Sequence, residues 1–330
     1  MEYSLYRRLF VLFDNKIIAM TTFIVVPESK LTCDQMREEF WNLSLFAPLV
    51  MNVYDCIVWC AMRNLIKNSV FCNMCNLSKT FVKRTGCIDQ YMWKCKGCSK
   101  STSIRHGSVF AGSHLAISQI IIIIYGFAND FPQKLICREA LLPTTSNTVS
   151  DWLNLCRRVC TKYFEQHPVE LGGFNENGES LTVELNEFQY RKVQWVFGGV
   201  ERNTGKVLLT PVQARNKETL LPIISRTILP GTVIVTDGWE AYRNIDLLGG
   251  GVYEHRTVRE NNFVNPHDKS THTQTIENVW MRAKKKLSRR CRTSIDSFLS
   301  YLQEFMWRER MKNKDQFVEF LICVSEQFLV

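Results

Sequence analysis

Apolar positions along the chain change period twice. Across about 33–67 they recur every three or four residues, with Trp59, Met62 and Ile66 on one face, which predicts helix. Residues 71–103 break into short alternating runs rich in cysteine and aromatic side chains, the pattern of small strands. Within 106–130 an apolar helix is predicted around 117–127. The helical period then returns in two pieces: 134–142, and a longer one from 147 through Trp152, Leu155 and Val159. Pro143, Thr144, Thr145 and Ser146 form the break, and Ser146 or Asn147 caps the second helix. That is helix-turn-helix spacing; two helices that merely pack on each other have the same spacing.

After 171–180, a Gly-, Asn- and Glu-rich stretch that reads as a linker, the period switches to two. Three strands are predicted at 181–188, 193–202 and 206–212, with Asn203-Thr204-Gly205 turning between the last two. A helix at 217–227, a buried strand at 232–236 and a helical turn at 239–244 follow. Helices at 273–290, 295–310 and 316–328 close the chain. Three meander strands, a helix and a further strand are the order of an RNase H-like core. The fold class is therefore α+β, divided as an N-terminal extension and helical segment (1–68), a cysteine-rich module (69–103), a helical helix-turn-helix-like region (104–170), a mixed-sheet core (181–292) and C-terminal helices (293–330).

Composition narrows the class. Of 330 residues 45% are apolar and 12% aromatic, a globular balance that excludes wholesale disorder. Net charge is +9, compatible with a polyanionic partner but not diagnostic of one. The apolar stretch 9–26 is broken by Asp14, Asn15 and Lys16 and lacks a small-residue cleavage site, so it is not expected to be a signal peptide; Met20 is an alternative start. The 120–124 isoleucine run is too short to span a bilayer, so no membrane partner is expected. In a reducing compartment, 13 unevenly spaced cysteines point to metal before disulfides.

Four of them have ligand spacing. Cys72-Asn-Met-Cys75 and Cys95-Lys-Gly-Cys98 are two CxxC knuckles with 19 residues between them. Each tight turn offers two thiolates, and together they complete a tetrahedron suited to structural zinc, with no open position for chemistry. Gly97 is expected to supply a positive φ in the second knuckle. Phe71, Phe81, Tyr91 and Trp93 supply a small core, and Cys87 is read as packing.

A second constellation is acidic. Asp237 ends the 232–236 strand just before Gly238, and Glu277 lies in the first turn of the 273–290 helix, 40 residues later. Two such carboxylates suit a hard divalent ion such as Mg²⁺. Two-metal phosphoryl chemistry needs a third, from the 181–188 strand. Singly, each is more readily a solvated surface acid.

Specific motifs sharpen this. Gln194-Trp-Val-Phe-Gly-Gly-Val-Glu-Arg202, Leu221-Pro-Ile-Ile224, Leu229-Pro-Gly231, Thr236-Asp-Gly-Trp-Glu-Ala-Tyr242, Asn262-Phe-Val-Asn-Pro266 and His272-Thr-Gln-Thr-Ile-Glu-Asn-Val-Trp280 closely resemble the transposase domain of ISXO-type insertion sequences and the Merlin superfamily of DNA transposases. The cysteine module, Ile104-Arg-His-Gly-Ser-Val-Phe-Ala-Gly-Ser113 and the 147–164 helix resemble that family's N-terminal region, so the resemblance covers roughly 50–290. It implies a DDE recombinase in which an acidic triad holds two Mg²⁺ or Mn²⁺ ions for DNA strand cleavage and joining, with Asp237 second and Glu277 third. It also implies DNA as partner and a homo-oligomer; action in the nucleus is expected from the basic run that follows Glu277.

The first acid departs from the family pattern. Where the family carries Val-Glu-Ile-Asp-Glu, this chain reads Val183-Glu184-Leu185-Asn186-Glu187. Asn186 retains a carbonyl oxygen and loses the charge. Strand alternation puts Glu184 on the same face as Asn186, making it the nearest substitute, though about 7 Å back along the strand. Two readings remain open: a transposase-derived DNA-binding protein with cleavage impaired or lost, or an active Mg²⁺-dependent transposase in which Glu184 or another residue stands in. Lys284, Lys285, Lys286, Arg289 and Arg290 follow Glu277 on one helix and are expected to contact DNA phosphates or serve nuclear import; a solvated helix face is the plain alternative. His272 lies near Glu277, either at DNA or as a hydrogen-bonded helix-start residue.

Overall fold

The structure, a computed structural model, describes residues 21–144, 147–191, 194–258, 268–290 and 295–328. The predicted turn residues Thr145 and Ser146, the 262–266 motif and most of the first 30 residues lie outside that set. Two compact units emerge, 1–122 with 324–330, and 123–323.

The first unit opens with α1 (Cys33–Arg37), α2 (Leu43–Met51) and α3 (Val53–Met62). Polar caps set each start. Thr32 and Gln35 form a reciprocal capping box on α1. Asn42 accepts from Leu45 N, and Asn52 accepts from Tyr54 N and Asp55 N, so Asn52 ends α2 and begins α3 at a bend of 114°. No single described helix is long and apolar enough to cross a membrane. Arg63, just beyond α3, is 1% exposed; it pairs with Glu39 and lies 4.2 Å over the Trp59 ring, which compensates its desolvation. Three short antiparallel strands follow in the order β1 (Thr80–Lys83), β2 (Tyr91–Lys94), β3 (Ser101–Ser103). Phe81 stacks on Tyr91 at 5.0 Å and tilts against Trp93 at 5.5 Å, giving this small sheet its apolar face. Asp89 in the β1–β2 loop takes two hydrogen bonds from Arg105, at 2.5 and 2.6 Å, so the Ile104–Ser113 motif is bolted to the module by a buried ion pair.

The apolar helix α4 (Ile117–Ala128) crosses the division between units. In the second unit, α5 (Gln133–Glu139) and α6 (Asn147–Gln166) occupy the helix-turn-helix-like region. Val149, Trp152, Cys156, Val159 and Cys160 form the buried stripe of α6. That stripe faces the C-terminal helix α9 (Ile295–Arg310): Thr161 donates to Gln303 at 2.6 Å and the Arg157 guanidinium lies 4.3 Å over Tyr301. The first turns of α6 expose Thr148, Asp151 and Asn154 and carry no Lys or Arg, so the described part matches the packing alternative better than a DNA-reading helix.

The core is one five-stranded sheet. β5 (Thr182–Tyr190), β6 (Gln194–Glu201) and β7 (Val207–Val212) form the antiparallel meander; β9 (Val233–Asp237) lies parallel to β5, and β10 (Glu254–Val258) parallel to β9. The order β10-β9-β5-β6-β7 is that of an RNase H-like sheet. α7 (Lys217–Thr227) connects the meander toward β9, and α8 (Gln274–Arg290), α9 and α10 (Gln316–Gln327) follow the sheet. Val183, Leu185, Val196, Phe197, Ile234, Ile276, Trp280 and Leu302 are among the buried side chains of this core.

The structure departs from the sequence reading in two places, one a segment misassigned and one a strand not foreseen. The 171–180 segment is not a linker: β4 (Leu171–Gly172) pairs in parallel with β8 (Ile228–Leu229), and Leu171 is fully buried. Gly172 has φ +81°, and a Cβ there would stand 2.0 Å from Thr232 Oγ1, so its glycines are packing and backbone requirements rather than flexibility. β10 is the second; its Glu-His-Arg-Thr-Val sequence is polar for a strand because it lies at the sheet edge.

Candidate functional site

The thiolate cluster is complete. The sulfurs of Cys72, Cys75, Cys95 and Cys98 all lie within 4.8 Å of one another. The two knuckles share one backbone shape: Cys72 N donates to Leu77 O and Cys95 N to Lys100 O, each at 2.9 Å. A backbone N–H aimed at the sulfur, that of Met74 at Cys72 and that of Cys98 at Cys95, pulls both thiols below their ordinary range, Cys72 to about 6. Four soft donors, two of them favoured as thiolates, fit one zinc ion. Positive φ falls on Asn76 and Ser99, just after each knuckle, and not on Gly97. Gly97 instead lies close to Leu77: a Cβ there would come within 2.7 Å of Leu77 Cδ1 and that side chain would have to shift. Cys87 lies apart and donates to Arg84 O at 3.1 Å.

The acidic constellation is assembled by three elements of the core. The parallel register Glu184↔Val235, continued by two residues, sets Asn186 beside Asp237 at the ends of their strands. Glu277, in the first turn of α8, reaches the same place: Asn186 Nδ2 donates to Glu277 Oε1 at 2.6 Å. Asn186 Oδ1 accepts from Glu187 N at 2.8 Å, so both ends of the amide are engaged and its orientation is fixed. Burial raises the Glu277 carboxyl above its ordinary range; Lys284 and the Asn186 amide oppose this, and Asp237 reinforces it. Asp237 Oδ1 accepts from Trp239 N at 3.2 Å, holding the turn after β9.

Glycine brings α8 this close. Gly198 pairs with Asn186 across β5 and β6, and a Cβ on it would stand 2.1 Å from Trp280 Cη2. Trp280, one helical turn after Glu277, therefore rests on bare backbone opposite Asn186.

Glu184 has a different role from the one its side of the strand implied. It is fully buried. Oε1 accepts from Arg202 Nε at 2.6 Å and Thr275 Oγ1 at 2.8 Å, Oε2 accepts from Ile276 N at 2.9 Å, and His272 Nδ1 stands 3.2 Å away. Arg202 also donates to Ser270 O and His272 O. The carboxylate caps the start of α8 and fixes the turn before it, which places Glu277. His272 is accordingly a helix-start residue beside this carboxylate.

On the opposite face of β5, Glu187 accepts a hydrogen bond from Tyr242. Burial raises its carboxyl to about 7, Tyr242 and Arg215 oppose the shift, and Asp237 adds to it. Sequence reasoning missed Glu187 and Tyr242 as partners, although both stand inside the quoted motifs.

The basic residues divide. Lys284 is exposed two turns along α8 from Glu277, its ammonium 5.0 Å over the Phe188 ring, and Lys285 is exposed. Lys286 departs from the expected phosphate contact: its ammonium lies 3.1 Å from buried Glu304 and 3.2 Å from Asp130, with 13% of the side chain accessible. An isolated carboxylate at Glu304 would be costly, so Lys286, with Arg308 at 2.9 Å, neutralises it. The side chains of Arg289 and Arg290 lie outside the described residues.

Residues 171–310 match the family model of the ISXO2-like transposase domain. This region is an ISXO2-like transposase domain. Among solved structures, the chain is similar to the catalytic core domain of BIV integrase, at 16% identity over 38% of this chain and 80% of that one, TM-score 0.28. It is also similar to the HTLV-2 integrase catalytic core domain in complex with magnesium, at 15% identity over 38% and 82%, TM-score 0.26. A third is the simian T-cell lymphotropic virus intasome in complex with PP2A regulatory subunit B56 gamma, at 16% identity over 57% and 67%, TM-score 0.28. No curated protein matches the chain. The positions at which the resemblance places the triad, Asn186, Asp237 and Glu277, are the ones brought together here. The residues present do not fit a two-metal site: an amide N–H points at Glu277 where a carboxylate would share an ion, and two acids remain to bind what three would hold.

Proposed function

We propose that the protein is a transposase-derived DNA-binding protein whose strand-transfer chemistry is lost at Asn186. The carrying observation is the Asn186–Glu277 hydrogen bond of 2.6 Å. In an active triad, repulsion among carboxylates is relieved by divalent cations. Here the amide donates a hydrogen bond to Glu277 in place of a cation, and the cluster is satisfied without metal. Glu184 does not supply the missing ligand, because its oxygens already accept from Arg202, Thr275 and Ile276. No catalytic step is therefore assigned to the domain.

DNA as partner follows from the transposase domain and from the exposed Lys284 and Lys285 beside the cluster. Structural zinc at Cys72, Cys75, Cys95 and Cys98, assembly as a homo-oligomer and a nuclear location belong to the same proposal. Mn²⁺-dependent cleavage of DNA carrying the element's terminal repeats is the test. The unmodified chain is expected to leave the DNA intact and Asn186→Asp to restore nicking. Robust cleavage by the unmodified chain contradicts the proposal and favours the active reading.

A further inference from the structure

Strands β5, β7 and β9 finish, and β6 begins, at one end of the sheet, and a second cluster lies there on the face opposite α8. Trp195 opens β6 and pairs with Val212, the last residue of β7. Trp239 lies two residues past Asp237. Between them sits Arg215, its guanidinium carbon 3.9 Å from the Trp239 ring centroid and 4.9 Å from that of Trp195. Trp239 Nε1 also donates to Arg215 O at 3.2 Å, and the next residue, Asn216, caps α7, so the arginine backbone is fixed on both sides.

Two tryptophan rings thus pack against this one guanidinium, which stays partly accessible. The Arg215 side chain forms no hydrogen bond or ion pair with the described residues. Its field acts on Glu187, but that carboxyl is turned to Tyr242. All three of Trp195, Arg215 and Trp239 remain partly accessible. A stacked arginine has already lost most of its side-chain freedom, and a planar fork of unused donors matches the oxygens of a phosphodiester. Charge alone would not require two tryptophans; they are what a fixed orientation requires.

We propose that Arg215, clamped by Trp195 and Trp239, is a binding site for a DNA backbone phosphate. This rests on the DNA-binding reading above, and it does not involve Asn186 or any metal.

The test is fluorescence anisotropy of a labelled random-sequence duplex with the zinc-loaded full chain over a salt series. Arg215→Gln and Arg215→Lys are compared with Arg226→Gln, which removes the same charge from an exposed position on α7. Arg215→Gln is expected to weaken binding about tenfold and to lower the log–log salt slope by about 0.9, one phosphate's worth. Arg215→Lys, which keeps the charge and loses the stacked fork, is expected to bind more weakly than the unmodified chain, and Arg226→Gln to match it. If Arg215→Gln fails to fold, Arg215→Lys carries the test alone. Unchanged affinity and slope in a folded Arg215 variant, or a loss no larger than that of Arg226→Gln, overturns the phosphate site and leaves DNA binding standing. No binding by the unmodified chain overturns both.

Discussion

The cysteine cluster and the acidic cluster, each expected from the sequence to hold metal, differ in how their donors are satisfied. In the first, four sulfurs converge within 4.8 Å, and backbone N–H groups favour the thiolate at two of them. In the second, the cluster is closed by protein contacts: Asn186 donates to Glu277, Trp239 N to Asp237, and Tyr242 to Glu187. A site whose donors face one another depends on an ion for its fold; a site whose acids accept hydrogen bonds from neighbours does not. One residue, Asn186, separates the two situations.

The comparison breaks first where the ion matters most. Removing zinc with a strong chelator, or Cys95→Ser, is expected to unfold the cysteine module, since structural zinc contributes on the order of 10 kcal/mol to such folds. Loss of near-ultraviolet dichroism from Trp93 reports it, whereas a module that stays folded without metal breaks the contrast. The acidic cluster, by contrast, is expected to melt at the same temperature with Mg²⁺ or without it.

Next come the contacts that hold the core without metal. Glu184→Ala leaves Arg202 uncompensated and uncaps α8, and is expected to cost about 3–5 kcal/mol in urea unfolding. A cost under about 1 kcal/mol, the range of exposed pairs, would return Glu184 to candidacy as a free ligand. Gly198→Ala pushes a methyl into Trp280 and is expected to cost about 1–3 kcal/mol; its distinctive result is a displaced α8, seen as weakened coupling between Asn186 and Glu277.

The smallest effect is a pH dependence. His255, whose Nε2 lies 2.9 Å from Thr236 Oγ1 between β9 and β10, is held below the ordinary imidazole pKa of 6.5 by burial, against the attraction of Asp246. The unfolded chain takes up that proton near pH 6.5 and the folded one only at lower pH, so stability is present above pH 6.5 and falls as pH drops through the folded pKa. His255→Gln is expected to flatten this limb of a melting-temperature profile; an unchanged profile places the titrating group elsewhere.

Much of this was legible in the sequence, for identifiable reasons. CxxC spacing is local, so the four ligands could be read directly. The period change at 181 and helices such as Lys217–Thr227 and Ile295–Arg310 are strong local signals. Pairing across the chain is not local. β4 looked like a linker because its glycines serve Thr232, 60 residues on from Gly172, and β10 lacked apolar alternation because it is an edge. Strand alternation correctly put Glu184 and Asn186 on one face, but only the position of α8 shows that Glu184 is consumed by Ile276 N and Thr275. Lys286 looked like its neighbours until Glu304 was found beside it.

The central claim is that Asn186 replaces a metal-dependent cluster by a self-satisfied one. Metal content followed by Mn²⁺ titration, for the unmodified chain and Asn186→Asp, tests it most directly. The account predicts one tightly held zinc in both, no Mn²⁺ site in the unmodified chain, and in Asn186→Asp a Mn²⁺ site with a lower melting temperature that the ion restores. Mn²⁺ binding of equal strength in both would contradict it.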